Sequence, residues 1–509
     1  MHRFDPKATW TEAEERCLVR KVDKRIMVWC CVMFFALQLD RGREYFAALS
    51  DNLLKDLGLN TNDYNNGQMI FYLSFMCAEL PSQLISKRLG PDVWLPIQLV
   101  LWSIVAMSQC RLNSRGSFFT TRCLLGLLEG GFIPDMILFL SYFYKGNELP
   151  VRLSFFWMSY TFTNISGALL GYGILRMRRG IHGWEGWRYL FLIEGAMTAA
   201  IGVFSFFWLP ASPTQTKGLL RGKDGWFNER EEVIMVNRIL RDDPSKGGMH
   251  NRQALHLSDF WASITDYDNW GIYLIGICAY IPPAPPTAYM TLTLRNLGFN
   301  TFNSNLLTIP YSVLFMINNF LITQLSRITK ERSIVSSLGN IWQLPLLIAL
   351  SILPDTTNAW IRYALLTLLL GYPYAHPIIV GWNSQNSNTV RTRTVGFSYS
   401  QQQNSPPSLS QTTNQVSAAL YNIFVQAGNI ISTHIYNDDD KPFYHKGNKV
   451  LVGITVWNII LFYLVKLYYI QRNKWKAARW DVMSTEERAH YLETTTDKGN
   501  KRLDFVFVH

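Results

Sequence analysis

Long stretches of apolar residues with few charges recur along the chain and limit what it can fold into. Four of them occupy positions 26–39, 94–110, 190–209 and 450–465. A run of about 20 apolar residues matches the length of an α-helix that crosses the hydrocarbon core of a bilayer. Charged residues make up only 17% of the 509 residues, below the roughly 25% usual in soluble proteins. The sequence therefore predicts an all-α membrane protein with many spans.

Twelve spans are predicted, in two groups of six separated by a hydrophilic segment. The predicted organisation is an N-terminus at 1–25, a six-helix bundle at 26–209, a central loop at 210–268, a second six-helix bundle at 269–471 and a tail at 472–509. Positions 227–240 of the loop predict an amphipathic helix, with Asn228 as its N-cap and Glu231 three residues later. The predicted spans are 26–42, 66–87, 93–111, 116–142, 152–175, 188–209, 270–291, 303–326, 334–353, 360–382, 416–436 and 450–471.

The distribution of basic residues predicts that both termini are cytoplasmic. In that orientation, 32 of the 48 Lys and Arg residues lie in inside segments and 12 in outside segments, as the positive-inside rule requires. The net charge of +11 is thereby explained by topology, and nucleic acid is not an expected partner. The first 25 residues are hydrophilic, so we expect an uncleaved signal anchor. The seven cysteines show no metal-ligand or disulfide spacing, so neither a metal nor another cofactor is expected.

Four ionisable residues lie within or at the ends of predicted spans, where such residues are costly and usually functional. Asp40 and Arg41 end the first span, and Arg122 and Glu129 lie in the fourth. Arg122 and Glu129 are seven residues apart, which puts them on one helix face about 10 Å from each other. Arginine offers paired donors to an anionic group, and a neighbouring carboxylate can exchange protons. The alternative is that each arginine only neutralises a buried carboxylate.

Other polar residues within spans give weaker signals. Glu79 precedes Pro81 in the second span and can be structural, and Glu148 and Arg152 follow the fourth span as a predicted cytoplasmic ion-pair latch. His376 lies where prolines break the tenth span, and a lone histidine is more often structural than a proton relay. Amides are the candidates in the second half, where they either bind an oxyanion or join helices. The predicted substrate ligands there are Asn383, Asn422 and Gln426.

The layout of six spans, a long loop and six further spans is that of the major facilitator superfamily. Several motifs resemble the fungal allantoate permease family, the anion:cation symporters within that superfamily. They are DRG at 40–42, RCLLGLLEGGFIP at 122–134, GWRYLFLIEG at 186–195 and LPASP at 209–213. DDPSKG at 242–247 and HNRQ at 250–253 are similar to the central loop of the sulfate and sulfonate carriers.

The resemblance implies symport of a small anion with protons across a lipid bilayer. It implies proton coupling by Asp40 and Glu129, and substrate binding or conformational switching by Arg41 and Arg122. Sulfate or a sulfonate is the favoured substrate; allantoate, nicotinate, pantothenate and biotin are the alternatives. The resemblance also implies a monomer in the plasma membrane.

Two stretches depart from the family pattern. Positions 43–48 make the segment after the first-span motif one residue longer. Positions 396–416 carry a glutamine run, two prolines and many serines where the family continues directly into the eleventh span. Codons for 395–396, 413–414 and 415 can form a splice donor, a branch point and an acceptor, so a retained intron is one hypothesis. A flexible cytoplasmic loop is the other.

Three alternatives to transport make different demands on the sequence. A non-transporting nutrient sensor would be expected to carry a long extra domain, and the tail at 472–509 is short. A membrane-embedded enzyme would need a nucleophile or metal motif such as HExxH, GxSxG or a P-loop, and the sequence contains none, so we do not expect an enzyme. An inactive variant is the third, given the two departures.

Overall fold

The structure is a computed structural model of the whole chain. It describes residues 3–5, 7–44, 53–145, 148–175, 184–242, 261, 264–387, 408–495, 497 and 499–509. Residues 45–48 of the longer segment after the first span lie outside the described residues, as do residues 396–407 of the possible insert.

The first half of the chain is helical throughout its predicted spans. A π-helical turn, Asp23–Met27, joins its first two helices into one continuous rod. Side-chain caps mark several helix starts: Asn60 accepts from the backbone N–H of Asp63 at 2.8 Å before α4. The α-helices of this half are α1 (Glu12–Val22), α2 (Val28–Glu44), α3 (Leu53–Asp56), α4 (Thr61–Leu89), α5 (Pro91–Ser108), α6 (Arg115–Glu129), α7 (Phe132–Ser141), α8 (Leu149–Ile174), α9 (Gly186–Trp208) and α10 (Glu229–Asp242).

The second half is also helical, and prolines divide two of its spans. The break in the seventh span precedes Ala284, and the break in the tenth span lies at 371–375, as the proline-rich motif there predicts. The α-helices are α11 (Trp270–Cys278), α12 (Ala284–Asn296), α13 (Thr301–Leu306), α14 (Ile309–Thr329), α15 (Ser333–Ile352), α16 (Ala359–Leu370), α17 (His376–Ser387), α18 (Ser408–Ser432), α19 (His445–Val482) and α20 (Thr485–Thr494).

The predicted all-α fold is confirmed, and each predicted span coincides with one helix or two consecutive helices. Among the described residues, seven helical segments are long and apolar enough to cross a membrane by length and composition. Three of the other predicted spans coincide with α2, α8 and α18. The remaining two coincide with the helix pairs that prolines divide, α11 with α12 and α16 with α17. The part of the possible insert that the structure describes, 408–416, forms the beginning of α18.

The glycines of the fourth span allow α4 and α6 to pack closely. A Cβ atom at Gly126 would lie 2.4 Å from the carbonyl oxygen of Phe71, so only glycine fits there. The bend in this span lies before the position where Pro134 predicts it. Gly131 has a φ of +84°, a left-handed conformation that favours glycine, and α7 restarts at Phe132 with Pro134 in its first turn.

The predicted amphipathic helix of the central loop is confirmed as α10. Asn228 and Glu231 form the predicted reciprocal cap, in which the backbone N–H of Glu231 donates to Asn228 over 2.8 Å. Arg238 of this helix is fully buried and forms ion pairs with Glu15 of α1 and with Glu148. The loop helix is therefore joined to the N-terminal helix and to the segment between α7 and α8.

The predicted latch after the fourth span does consist of ion pairs, but its two members pair with other segments. Arg152 donates to both carboxylate oxygens of Asp23, over 3.2 and 3.0 Å. Glu148 accepts from Arg238 instead of Arg152. Three segments that are distant in sequence thus meet at this end of the first bundle.

The C-terminal region differs from the predicted tail. Helix α19 continues past the predicted end of its span at 471 to Val482. The chain then folds back, and Phe505 and Phe507 are each 2% exposed. Asn386 of α17 accepts from the backbone N–H of Val508 at 2.9 Å and donates to the carbonyl oxygen of the same residue at 3.0 Å. The last residues therefore cover one end of the second bundle.

Candidate functional site

The first half of the chain brings two of the predicted ionisable residues into direct contact. Arg41, at the end of α2, donates from Nε to Oε2 of Glu129 on α6 over 2.7 Å. Glu129 is 2% exposed and the Arg41 side chain is 23% exposed, so the carboxylate is shielded from solvent while the arginine is half-buried. Nη2 of Arg41 is buried and has no hydrogen bond in the structure. The rings of Phe71 and Phe75 lie 5.7 and 4.9 Å from the Arg41 guanidinium.

Arg122 lies on the same helix as Glu129 and is 3% exposed. Its guanidinium carbon is 5.5 Å from the ring centre of Phe71 and 5.7 Å from that of Phe118. Arginine commonly stacks on aromatic faces in this way. Phe71 therefore contacts both predicted anion-binding arginines, and the predicted shared face of Arg122 and Glu129 is a buried face of α6.

Asp40 is buried but turned toward other helices. Its Oδ2 accepts from the indole Nε1 of Trp102 on α5 at 2.9 Å, and its Oδ1 accepts from Thr198 on α9 at 3.3 Å. Asp40 is 3% exposed. Of the two predicted proton-coupling carboxylates, Asp40 thus bonds to side chains of α5 and α9, and Glu129 bonds to Arg41 of α2.

The three predicted amide ligands of the second half have different surroundings. Asn383 donates to the carbonyl oxygen of Ser417 at 3.1 Å and accepts from its hydroxyl at 3.2 Å, so it joins α17 to α18. Gln426 accepts from Asn429 of its own helix at 3.0 Å. Asn422 donates to Oε1 of Glu79 on α4 at 2.8 Å, which joins the two bundles. The amides therefore do not converge on the arginines in this conformation.

The bundles also meet at the end that the charge bias places outside. The side chain of Asn65 on α4 donates to the carbonyl oxygen of Tyr436 at 2.9 Å, and it accepts from the hydroxyl of Tyr289 at 2.5 Å. The rings of Tyr436 and Tyr444 stack with their centres 4.2 Å apart. Buried tyrosines and one amide therefore hold the two bundles together at this end.

An aromatic zone that the sequence reasoning missed lies between the two bundles. His376 is 8% exposed and packs against Trp157 of the first bundle, with ring centres 5.2 Å apart. Tyr160 of the same helix packs against Phe315 at 6.4 Å. Tyr280, Tyr374 and Tyr421 complete the zone around His376. The two tyrosines at 372–374 could have indicated this zone, since aromatic side chains are frequent in the lining of ligand pockets.

Comparison with known proteins identifies the family. The sequence model described as Major Facilitator Superfamily matches residues 27–409. The chain belongs to the major facilitator superfamily. It is 47% identical over 511 aligned residues to the "Uncharacterized transporter YIL166C" of Saccharomyces cerevisiae, covering 100% of this chain and 90% of that one. As a member of this superfamily it is a transmembrane transporter and not an enzyme, as predicted.

Solved structures of the superfamily share the fold. The xylose transporter XylE from E. coli, in a partially occluded inward open conformation, superposes with a TM-score of 0.60 at 13% identity, covering 86% of this chain and 97% of that one. A bacterial homologue of the human lysosomal transporter Spinster, inward-facing and unoccupied, gives a TM-score of 0.57 at 14% identity, covering 91% and 99%. At such identities the likeness shows the fold alone, which is the all-α fold of the superfamily.

Proposed function

We propose that this transporter carries a small anion together with protons. The observation that carries the proposal is the ion pair of the half-buried Arg41 with the buried Glu129, 2.7 Å apart, with Arg122 beside the same aromatic ring, Phe71. Two guanidinium groups within one shielded region attract an anion. The adjoining carboxylate competes with that anion for Arg41.

The competition gives a simple coupling scheme. When Glu129 is ionised, it holds Arg41 through a charge-assisted hydrogen bond. When Glu129 takes up a proton, its attraction for Arg41 weakens, and the guanidinium becomes available to an anion. Loss of the proton on the other side reforms the ion pair and favours release of the anion. Proton and anion thus bind together and leave together, which is symport.

The family resemblance favours sulfate or a sulfonate as the substrate, and it assigns Asp40 a part in proton coupling. Asp40 accepts hydrogen bonds from Trp102 and Thr198, which would connect its protonation to α5 and α9. The same resemblance favours the plasma membrane, a monomer and membership of the allantoate permease family.

A second substrate class, organic carboxylates such as nicotinate or pantothenate, is favoured by the aromatic zone. An inorganic oxyanion has no apolar body that could use the rings of Trp157, Tyr374 and Tyr421. An organic carboxylate can place its carboxyl group on the arginines and its carbon skeleton against aromatic faces. Tyr160 links the two regions, because it lies near enough to Arg41 for an electrostatic interaction and packs against Phe315.

The test is an uptake panel in cells that lack sulfate, allantoate, nicotinate and pantothenate carriers. Each labelled anion is offered at external pH values between about 5 and 8, with and without a protonophore. Uptake of one anion that rises as pH falls and collapses with the protonophore supports symport. Uptake that ignores the proton gradient contradicts it, and the anion that is taken up decides between the two substrate classes.

A further inference from the structure

Glu79 on α4 is a fully buried carboxyl group for which the proposed function has no role. It is 0% exposed. Its Oε1 accepts from the amide of Asn422 on α18 at 2.8 Å, while its Oε2 is buried without a hydrogen bond. Helix α4 belongs to the first bundle and α18 to the second. One carboxyl group therefore lies on the contact between the two moving halves.

The surroundings of Glu79 supply no cation within the part of the chain that the structure describes. Helix α7 contributes Asp135, whose negative charge acts on Glu79 and which accepts a hydrogen bond from Ser82 at 3.3 Å. Helix α6 contributes Glu129 and Arg122, and Glu129 is paired with Arg41 of α2. Asp92 of α5, Tyr421 of α18 and Cys123 of α6 are further titratable residues of the packed elements. Those of α4 itself are Asp63, Tyr64, Tyr72, Cys77, Lys87 and Arg88, and Asp63 pairs with Arg115 of α6. Lys87 and Arg88 lie more than two helical turns beyond Glu79.

An ionised carboxylate in such a place would be unfavourable. Burial disfavours the charged form, and a nearby carboxylate disfavours it further. A single neutral amide does not replace the hydration that a carboxylate loses. The protonated acid removes both penalties, and its carbonyl oxygen still accepts from Asn422.

We propose that Glu79 is a proton-binding site that is occupied while α4 and α18 are joined and emptied when the two bundles separate. Separation breaks the contact with Asn422 and opens the carboxyl group to water, where it ionises. Reassembly of the contact requires a proton. The role of this site in transport rests on the proposed symport. It would be a second proton site, at the bundle interface, in addition to the one at Glu129.

Protonation of Glu79 can be measured without knowing the substrate. The full-length protein is purified into lipid nanodiscs, and infrared difference spectra are recorded across a pH titration for the wild type and for Glu79→Gln. We expect a band of a protonated carboxylic acid at neutral pH in the wild type and its loss in Glu79→Gln. Asp63→Asn is the matched control, because Asp63 is on the same helix but pairs with Arg115 at its outer end. The control should keep the band.

Asn422→Ala tests the site if Glu79→Gln cannot be purified. A donor to a carboxyl group favours the ionised form, so its removal should shift the midpoint of the band's titration to higher pH by about one unit. An unchanged midpoint in Asn422→Ala, or identical spectra of the wild type and Glu79→Gln, would overturn the proposal. A wild type that shows the band but whose uptake ignores the proton gradient would support this proton site and contradict the proposed symport.

Discussion

Arg41 and Glu129 lie 88 residues apart in sequence, yet Nε of Arg41 donates to Oε2 of Glu129 over 2.7 Å. The pair joins α2 to α6, and the bend after Glu129 begins at the next residue, Gly130. Burial excludes water from the carboxylate, which strengthens its interaction with the guanidinium. The availability of Arg41 to an anion therefore depends on the protonation of one side chain.

Glu129→Gln should separate exchange from proton coupling. Glutamine keeps an acceptor for Arg41 but cannot exchange a proton, so anion counterflow should persist while acid-driven accumulation is lost. Counterflow and net uptake are measured in the same proteoliposomes. Glu331→Gln is the control, because Glu331 pairs with Lys466 away from the proposed site, and it should behave as the wild type. Retained acid-driven accumulation in Glu129→Gln would exclude Glu129 as a coupling residue.

Arg122→Ala should weaken anion binding by about 10- to 100-fold, the range expected for loss of a charge-assisted hydrogen bond. Arg122→Lys should restore part of the affinity, since lysine keeps the charge but not the paired donors. Arg115→Ala is the matched control: Arg115 begins the same helix and its side chain is 61% exposed. Equal affinities of Arg122→Ala and the control would show that Arg122 does not bind the anion.

Asn383→Ala should lower stability rather than affinity. Both polar groups of the Asn383 side chain bond to Ser417, and loss of such buried hydrogen bonds costs about 1–3 kcal/mol. Thermal unfolding of Asn383→Ala, Ser417→Ala and the double variant gives a double-mutant cycle, and we expect non-additive effects. Additive effects with reduced anion affinity would instead favour the sequence-based role of Asn383 as a substrate ligand.

Acid should release the N-terminal helix from the first bundle. Burial raises the pKa of the Glu15 carboxyl, but hydrogen bonds from Lys145, Trp10 and Arg238 outweigh it and lower the pKa from 4.5 to about 2. Since the folded-state pKa is lowered, this stabilisation is fully present above pH 4.5 and is lost as pH falls toward 2. Because solvent screens this partly exposed group, the stabilisation amounts to about 1 kcal/mol.

Hydrogen exchange of the N-terminal peptide at pH 7 measures this effect. Glu15→Gln should exchange faster than the wild type. Glu12→Gln should not, because Glu12 is 87% exposed and pairs only with Arg16 of its own helix among the ion pairs of the described residues. The same exchange rate in all three proteins would show that Glu15 does not hold α1 in place.

Periodicity and charge were sufficient to predict the spans and the loop helix, and prolines predicted the break in the tenth span. The break in the seventh span, before Ala284, was not predicted. The spacing of Arg122 and Glu129 correctly predicted a shared helix face, because that relationship is local. The partners of these residues are not local. The contact of Glu79 with Asn422 joins positions 343 residues apart, and no pattern within either helix encodes it.

The covering of the second bundle by the C-terminal residues was missed for a related reason. The prediction ended α19 where its apolar run ends, but the helix continues because Lys476 and Trp480 are themselves buried beneath the returning chain. Burial lowers the pKa of Lys476 to about 8. The alternation of Phe505 and Phe507 could have indicated that this segment is buried on one side, since an extended segment with one buried face shows that pattern.

Proton-coupled uptake is tested most directly with the purified transporter in proteoliposomes under an imposed pH gradient. The labelled anion identified by the uptake panel and the internal pH are followed together. The account predicts that acidic external buffer drives anion accumulation and proton entry at the same time, and that a protonophore abolishes accumulation. Accumulation that is equal with and without the proton gradient, or anion entry without proton entry, would contradict the account.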